Sequence, residues 1–213
     1  MNLVFLGPPG SGKGTQAVRV AKALNLVHIS TGELLREAVK NKTDLGIKVE
    51  DTMKMGLLVP DEVVISLIGQ KIMAIGEGKG FILDGFPRNL TQAESLKFMF
   101  DHKKMKLDKA VLLKVSDAEV VKRLSGRWYC PKCNAGYNYP RNIPKHEGVC
   151  DRDGEKLMRR HDDDEAVVKN RLSVYKAETQ PIENFYRRES ILNEIEGEQS
   201  PDKVFQDILS AVK

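Results

Sequence analysis

Short, mostly apolar runs alternate along this chain with longer segments in which apolar residues recur every three or four positions. Five of these runs are too short for helices and are predicted as buried strands; they span residues 3–6, 27–29, 81–83, 110–115 and 191–195. The segments between them have the helical period, as in Ala17, Val20 and Leu24. This alternation predicts an α/β fold: a doubly wound, five-stranded parallel sheet with helices on both faces.

The loop after the first strand carries a phosphate-binding pattern. It reads Gly7-Pro8-Pro9-Gly10-Ser11-Gly12-Lys13-Gly14-Thr15, which fits G-x-x-x-x-G-K-[ST] except that Gly14 takes the hydroxyl position and Thr15 follows one place later. Glycines let backbone N–H groups turn toward a phosphate chain, the following helix presents its positive end, and Lys13 adds a charge. A plain glycine-rich turn is the alternative, but the strand before the loop and the helix after it favour phosphate binding.

Polar residues mark where several helices are expected to begin. Ser30 and Glu33 have the spacing of a capping box, so a helix should start near Thr31. Asp117 is expected to cap a later helix, and the acidic run 162–165 to open another, since acids favour helix N-termini.

Asp84 follows the strand predicted at 81–83. The carboxyl end of such a strand lies beside the phosphate loop in open α/β sheets, so this carboxylate is placed to orient Mg²⁺ or its waters. A helix cap or an ion pair is the ordinary alternative for this aspartate. His28, on the strand predicted at 27–29, is interpreted as a structural histidine and not as a ligand.

Between Trp128 and His161 the helical periodicity gives way to Cys, Pro, Tyr and Asn. The pattern C-x₂-C-x₁₆-C-x₂-D is formed by Cys130, Cys133, Cys150 and Asp153. This is the spacing of a two-knuckle zinc ribbon, and Zn²⁺ accepts such a ligand set in tetrahedral geometry. Because structural zinc contributes about 10–16 kcal/mol, it would explain how a segment with so little core folds. Three incidental reduced cysteines are the alternative, and His146 and His161 fit the spacing less well.

Composition limits the class of protein. The 213 residues carry 34 Lys and Arg against 30 Asp and Glu, a net charge of +4, and the segment 126–163 holds eight basic and six acidic residues. That balance disfavours strong binding to a nucleic-acid backbone. No apolar run approaches the roughly 18 residues of a membrane helix, and the start of the chain lacks a basic leader. We therefore expect a cytoplasmic monomer with reduced cysteines and without a nucleic-acid or membrane partner.

Taken together, these motifs closely resemble the adenylate kinase family in its bacterial form with a long, zinc-binding lid. The resemblance covers essentially the whole chain and rests on the phosphate loop, STGELLR at 30–36, DGFPR at 84–88, the cysteine pattern and RHDDDE at 160–165. It implies a P-loop NTPase-like fold and reversible transfer of a phosphoryl group from Mg²⁺-ATP to AMP, giving two ADP. Small departures are Asn89 in place of Thr, Glu33 in place of Asp, and Trp128 where a basic residue is common.

The resemblance also implies which residues bind the two nucleotides. The ATP phosphates would lie on Gly10, Ser11, Gly12, Lys13, Gly14 and Thr15. The ATP base would lie against Arg127, Gly136 and Tyr137, with Gln199 at its edge. The AMP site would comprise Thr31, Arg36, Leu57, Leu58, Val59, Gly85, Phe86, Pro87, Arg88, Gln92, Arg160 and Arg171. Within it, Gln92 would read the adenine edge.

Catalysis is implied to come from positive charge and not from a general base. AMP phosphate is already a nucleophile at neutral pH, whereas two anions must be held in line while charge spreads over the transferred group. The catalytic set would be Lys13, Arg88, Arg123, Arg160 and Arg171, with Arg36 adding to the neutralisation. Guanidinium groups suit this role because they bind phosphate oxygens bidentately.

Two moving insertions are implied as well. The core domain would comprise residues 1–29, 60–125 and 164–213, the helical AMP-binding domain 30–59, and the zinc-binding lid 126–163. Both insertions would fold over bound nucleotide. The implied cofactors are structural Zn²⁺ in the lid and Mg²⁺ with ATP, which Asp84 would hold through water.

Three other functions remain as alternatives. Another nucleoside monophosphate kinase, acting on UMP or CMP, is opposed by Gln92 and the long lid. A nucleic-acid-binding module built on the zinc ribbon is opposed by the charge balance of that segment. A nucleotide-binding regulator without turnover would lack a catalytic arginine, and each arginine expected from the resemblance is present.

Overall fold

The computed structural model describes residues 1–76 and 78–213 as a parallel sheet covered by helices, with two insertions. The strands are β1 (Asn2–Leu6), β2 (Val27–Ser30), β3 (Phe81–Asp84), β4 (Lys109–Lys114), β5 (Arg127–Tyr129), β6 (Gly136–Asn138) and β7 (Leu192–Glu196). The α-helices are α1 (Lys13–Leu24), α2 (Thr31–Lys40), α3 (Asp44–Lys54), α4 (Asp61–Ala74), α5 (Leu90–His102), α6 (Asp117–Ser125), α7 (Glu165–Val174), α8 (Pro181–Arg188) and α9 (Pro201–Val212). A 3₁₀ turn (His161–Asp163) precedes α7, and a π-helix (Tyr175–Thr179) follows it.

The main sheet has the strand order β2-β3-β1-β4-β7, and every pairing in it is parallel. All five predicted strands are present, with ends that differ by one residue. Phe5 of β1 pairs with Asp84 of β3, which in turn pairs with Ser30 of β2. The α/β prediction is confirmed, and the carboxyl ends of β1, β2 and β3 lie together at one edge.

Alternating side chains of β1 divide the core between the two faces of the sheet. Leu3 and Phe5 pack with α1 and α9, whereas Val4 and Leu6 face the other side, where α4, α5 and α8 pack. All four side chains are almost completely buried. Burial on both faces explains why these strands are apolar without a polar alternation.

Helix α2 begins at Thr31 as predicted, but the hydrogen bond of its capping box is absent, and the predicted cap of α6 is wrong. Ser30 occupies the N-cap position of α2, but its side chain makes no capping hydrogen bond. Helix α6 is capped by Ser116, whose Oγ accepts a hydrogen bond from Glu119 N at 3.4 Å, and Asp117 is its first residue. The Asp117 carboxylate is instead drawn outward into an ion pair with Lys176. The acidic run 162–165 does precede α7, but the 3₁₀ turn comes first.

The two insertions differ in how they are built. Helices α2 and α3 pack so closely that a Cβ on Gly46 would lie 2.1 Å from Ala38 O, so glycine is required there. Strands β5 and β6 pair antiparallel in the segment 126–163. Along residues 1–76 and 78–213, no helix combines the length and apolarity that a membrane crossing needs.

Candidate active site

The phosphate loop joins β1 to α1 and depends on glycines at defined positions. Gly7, Gly10 and Gly12 all have positive φ, at 135°, 76° and 95°. A Cβ on Gly7 would lie 2.6 Å from Leu113 O, and one on Gly10 would lie 2.8 Å from Leu124 Cγ. Both side-chain sterics and backbone conformation therefore reserve these positions for glycine. The loop also holds Ser11 Oγ, a buried hydroxyl that makes no hydrogen bond within the described residues.

Lys13 lies over this loop, where its Nζ donates hydrogen bonds to Gly7 O at 2.7 Å and Pro8 O at 2.8 Å. The pKa of Lys13 is lowered to about 8, mainly by burial; Asp84 opposes this shift, and the nearby Arg88, Arg171 and Arg127 add to it. An anion placed beside this ammonium would relieve that penalty on the charged form.

Asp84 stands at the end of β3, next to the phosphate loop. Its Oδ2 lies 3.5 Å from His28 Nε2, and a Cβ on Gly14 would lie 3.1 Å from the same oxygen. Burial raises the pKa of Asp84, but His28 and Lys13 outweigh it, and the net shift is downward. Asp84 is therefore a buried carboxylate, of the chemistry that a hydrated Mg²⁺ requires. His28 lies in β2 as a structural partner of this carboxylate.

Six cationic side chains converge between the phosphate loop and α2. Five of them have a lowered pKa: Lys13, Arg36, Arg88, Arg160 and Arg171. Burial is the main cause in each, and neighbouring cations add to the effect. The pKa is lowered to about 10 for Arg88 and to about 9 for Arg160. Arg127 is the sixth, since its charge contributes to the shifts of Lys13, Arg36, Arg160 and Arg171. The carboxylates that act on them are Glu33, Asp84, Asp162 and Asp163. Such an excess of partly buried positive charge suits a polyphosphate.

Asp163 connects several members of this cluster, and it lies at the end of the segment expected to form the lid. Its side chain is completely buried and forms a two-point ion pair with Arg127, while Arg171 Nη1 lies 3.4 Å from its Oδ1. Arg171 also donates to Asp162 O at 2.9 Å and lies 2.8 Å from Asp162 Oδ2. Arg127 begins β5 and Arg171 lies on α7, so one carboxylate joins the start of the lid segment to a core helix.

A pocket opens beside the cations, and it brings together most of the residues expected to bind AMP. Those that line it are Thr31, Arg36, Leu57, Leu58, Val59, Gly85, Pro87, Arg88, Gln92 and Arg171. Thr31 Oγ1 is buried and has no hydrogen-bond partner within the described residues, so a hydroxyl is available to a ligand. Phe86 is different, because its side chain is fully buried in the core and can offer only backbone atoms.

Gln92 is held in place by its neighbours. Its Oε1 accepts a hydrogen bond from Arg88 N at 2.8 Å, and its Nε2 donates to Asp61 Oδ1 at 2.7 Å. Thr179, which sequence reasoning missed, lines the same pocket and donates from Oγ1 to Arg88 O at 2.7 Å. It lies in the π-helix, a type of helix for which the sequence gives no signal.

The residues expected around the ATP base divide into two groups. The Tyr137 ring is buried inside the ribbon, where its OH lies 3.6 Å from Cys150 Sγ and accepts a hydrogen bond from Asp151 N at 2.8 Å. The ring thus belongs to the core of the ribbon, and its expected contact with the ATP base stays a prediction. Gly136 is exposed, and the Gln199 side chain is bonded to Glu196 O and Asp207, which leaves its backbone as the group facing a ligand.

Arg123 is placed differently from the other expected catalytic residues. Its Nη1 donates to Ser11 O at 3.0 Å and its Nη2 to Gly197 O at 2.8 Å, so it contacts the carbonyl side of the phosphate loop. Arg127 lies close enough to the phosphate-side cations to affect their pKa values, and its expected contact with the ATP base stays a prediction. Arg160 remains in that cluster, with its guanidinium 5.4 Å from the centre of the Tyr129 ring and its Nε buried without a partner among the described residues.

The four candidate zinc ligands also converge. One ligand atom from each of Cys130, Cys133, Cys150 and Asp153 lies within 4.8 Å of the other three. Cys133 Sγ lies 3.5 Å from Cys150 Sγ, and Cys130 Sγ lies 3.4 Å from Asp153 Oδ1. Backbone N–H groups point at the sulfurs, as Lys132 N and Cys133 N do at Cys130 Sγ, each at 3.4 Å. Sulfur atoms stabilised in this way and spaced for a common centre fit tetrahedral Zn²⁺.

Comparison with known proteins agrees with this geometry. The family model described as adenylate kinase matches residues 5–191. The chain is 44% identical over 213 residues to adenylate kinases of Brevibacillus brevis and Carboxydothermus hydrogenoformans, with all of both chains covered in each comparison. It is 43% identical over 212 residues to that of Clostridioides difficile, covering 100% of this chain and 98% of the relative. With its phosphate loop, cation cluster and adjoining pocket, the chain belongs to the adenylate kinase family.

Proposed function

We propose that the cleft binds Mg²⁺-ATP and AMP end to end, with their phosphates meeting at the cation cluster. The chain is a nucleoside monophosphate kinase that interconverts ATP and AMP with two ADP, as its family membership establishes. The proposal concerns which residues do this. The observation that carries it is the convergence of six partly buried cations between the phosphate loop and the pocket that contains Thr31.

The ATP phosphates are assigned to the loop amides from Gly10 to Thr15. Amides at the start of α1 point outward and the helix end is positive, so both favour a phosphate chain. Lys13 leaves the carbonyls of Gly7 and Pro8 to contact the anion. Mg²⁺ bound with ATP supplies charge neutralisation and alignment of the phosphate oxygens, and Asp84 holds its waters.

AMP is assigned to the pocket between α2, α4 and the DGFPR turn. Thr31 donates its free hydroxyl and Arg36 and Arg88 bind the phosphate, while the backbone of Leu57 and Val59 borders the base. Gln92 reads the adenine edge with amide atoms that now bond Arg88 N and Asp61. The phosphate of AMP is the attacking group and needs no general base, so these side chains work by alignment and by charge.

Arg127, Arg160 and Arg171 are assigned to the transferred group. They come from the two ends of the lid and from α7, so they surround one point only when the lid lies against the core. Arg123 is assigned to the ATP side through its bonds to the phosphate loop. Closure excludes water, which would otherwise compete with AMP as acceptor.

The segments 30–59 and 126–163 are proposed as the AMP-binding domain and the lid, with the core formed by 1–29, 60–125 and 164–213. Two contacts across the cleft support this division. Lys40 Nζ donates to Pro131 O at 3.1 Å, which joins the two insertions, and Asn170 Nδ2 donates to Met55 O at 2.7 Å, which joins the core to the first. Both are single hydrogen bonds that can break when the cleft opens.

Zn²⁺ is proposed as the structural metal of the lid, held by Cys130, Cys133, Cys150 and Asp153. The small core of this segment supports the proposal, since it consists of few buried residues around the cysteines.

We further propose a monomer that acts in the cytoplasm, because both nucleotide sites are built from one chain and the three cysteines are free thiols. Light scattering of the purified protein tests the monomer.

A coupled assay of ADP formation from ATP with AMP, UMP, CMP and GMP, each with Mg²⁺, tests the function. We expect AMP to be preferred, and preference for UMP or CMP would overturn the assignment of Gln92.

Arg88→Lys should lower kcat by about 10³, because a compact ammonium cannot bind two phosphate oxygens at once. Arg19→Lys, on the outer side of α1 and paired with Asp202, is the matched control and should keep normal turnover.

A further inference from the structure

Glu119 of α6 makes two ion pairs with partners from different parts of the molecule. Its Oε1 lies 2.7 Å from Arg123 Nε and 2.7 Å from Arg141 Nη1. The side chains of Glu119 and Arg123 are only 11% and 13% exposed, whereas that of Arg141 is 42% exposed. Arg123 belongs to the same helix, but Arg141 lies in the lid segment. One carboxylate oxygen therefore connects the lid with the ATP side of the core.

All three nitrogens of the Arg123 guanidinium are used. The Nε donates to Glu119, Nη1 to Ser11 O and Nη2 to Gly197 O. Two of these acceptors are neutral carbonyls, so Glu119 is the charged partner that fixes the plane of the group. Glu198 is the other carboxylate nearby, and it is engaged with Ser116 N at 2.7 Å.

The two carbonyls belong to segments that the proposed function assigns to ATP. Ser11 lies in the phosphate loop, and Gly197 is two residues before Gln199, whose backbone is assigned to the edge of the base. Because a guanidinium held on three sides cannot rotate, it keeps these two segments at a fixed separation. Losing its charged partner would free it to turn toward solvent.

We propose that Glu119 is a positioning residue for ATP: it fixes Arg123 between the phosphate loop and the 197–199 turn, and its bond to Arg141 ties that arrangement to the position of the lid. The inference rests on the proposed binding of ATP at the phosphate loop. AMP binds in a pocket that Glu119 does not line, so the two substrates should respond differently.

The test measures KM for each nucleotide and kcat in Glu119→Ala and Glu119→Gln. Glu119→Ala should raise KM for ATP about tenfold, while kcat and KM for AMP stay within about twofold. Glu119→Gln keeps an oxygen that accepts from Arg123 Nε, so it should recover most of the lost affinity. Arg141→Ala should raise KM for ATP about twofold, and combining it with Glu119→Ala should add nothing further.

Asp117→Ala is the matched control, because this carboxylate lies on the same helix and pairs with Lys176 away from Arg123. It should leave all three constants unchanged. Thermal melts identify any variant that is unfolded at the assay temperature. An equal rise in KM for ATP and AMP, an unchanged KM for ATP, or an additive double variant would overturn the inference. If the wild-type protein formed no ADP, the proposed function would fail instead, and the assay separates the two results.

Discussion

At the scale of single residues, Lys13 shows why the site should bind anions. In this conformation its ammonium is bonded to two carbonyls of its own loop, and its pKa lies at about 8 because burial disfavours the charge. Asp84 and a phosphate chain are the groups that can restore the charged form. The same interaction should therefore govern both activity and the response to pH.

We expect Lys13→Met to lower kcat by about 10³ and to leave the melting temperature equal or higher. Activity falls because the phosphate loop loses its mobile charge, whereas stability does not, because a buried ammonium is replaced by an apolar chain of similar length. Lys22→Met, at an exposed position of the same helix, is the control and should change neither quantity. Turnover near the wild-type value would contradict the assignment of the loop.

The lowered pKa of Lys13 predicts uptake of protons when ATP binds at pH 8.5. The free protein has lost part of the Lys13 proton at that pH, and the bound polyphosphate restores it, so affinity should fall as pH rises through about 8. Calorimetry in two buffers of different ionisation enthalpy measures the uptake. Lys13→Arg should abolish it, because the guanidinium stays protonated. Equal uptake in both proteins would assign the proton elsewhere.

The stability of the unliganded protein should also depend on the ionisation of Lys13, but it should rise with pH, whereas the affinity for ATP falls. The unfolded chain holds the Lys13 proton up to about pH 10.5, whereas the folded chain releases it near 8. Between these values the unfolded state binds more protons, so the contribution of Lys13 to the free energy of unfolding should rise with pH. Urea titrations of wild type and Lys13→Met at pH 7.5 and 9.5 isolate this contribution, and a difference that does not shrink with rising pH would contradict it.

At the scale of elements, the ribbon of the proposed lid is the part that we expect to depend on a metal. We expect Cys130→Ser to reduce bound zinc from about one per chain to a small fraction and to lower the melting temperature, while activity of the folded protein falls less. The reason is that the ligands surround one centre in a segment that has little other core. Metal analysis and thermal melts make the measurement.

His146→Ala is the control for this experiment. His146 is exposed and lies outside the group of converging ligand atoms, so its removal should leave the zinc content unchanged. Full zinc occupancy in Cys130→Ser, or loss of zinc in His146→Ala, would overturn the ligand set.

The sequence predicts a helix, strand or loop correctly where residues close together in the chain determine it. The five strands and the phosphate loop follow from apolar runs and from glycine spacing, both of which act within a few residues. The sequence does not distinguish Ser116 from Asp117 as the cap of α6, because both residue types cap helices well; in the structure Ser116 caps the helix and Asp117 pairs with Lys176. The π-helix at 175–179 had no sequence signal, so the contact of Thr179 with Arg88 was missed.

Tertiary geometry explains the remaining differences at the site. Arg123 and Arg127 are four residues apart, and sequence gives both the same chemistry. The structure separates them because α6 ends between them: Arg123 stays on the helix beside the phosphate loop, and Arg127 begins β5 beside Asp163. The family resemblance places Tyr137 beside the ATP base, and the fold adds that its ring also belongs to the core of the ribbon.

At the scale of the whole molecule, the two insertions should close independently. We expect AMP alone to protect amides of 30–59 from hydrogen exchange, ATP to protect 126–163, and a bisubstrate analogue of two adenosines joined by a phosphate chain to protect both. A ligand at 100 times its Kd should add about 2.7 kcal/mol to the free energy of unfolding. Exchange followed by mass spectrometry makes the comparison, with GMP as the control ligand. Protection confined to the core would contradict the division into moving parts.

The buried Asp163 has a further consequence for how such a lid can change. Arg127 lies where the chain enters the proposed lid, and Asp163 lies where the chain returns to the core. Asp163 forms ion pairs with Arg127 and with Arg171 of α7, so both ends of the lid are joined to that helix. Residues 128–159 thus form a segment whose two ends are held together by the ion pair between Arg127 and Asp163, and it can be exchanged without moving Arg127, Arg160 and Arg171. A shorter or metal-free segment grafted between Arg127 and Arg160 should leave these three arginines in place, and its main effects should be on how readily the cleft opens and on the affinity for ATP that depends on Arg141.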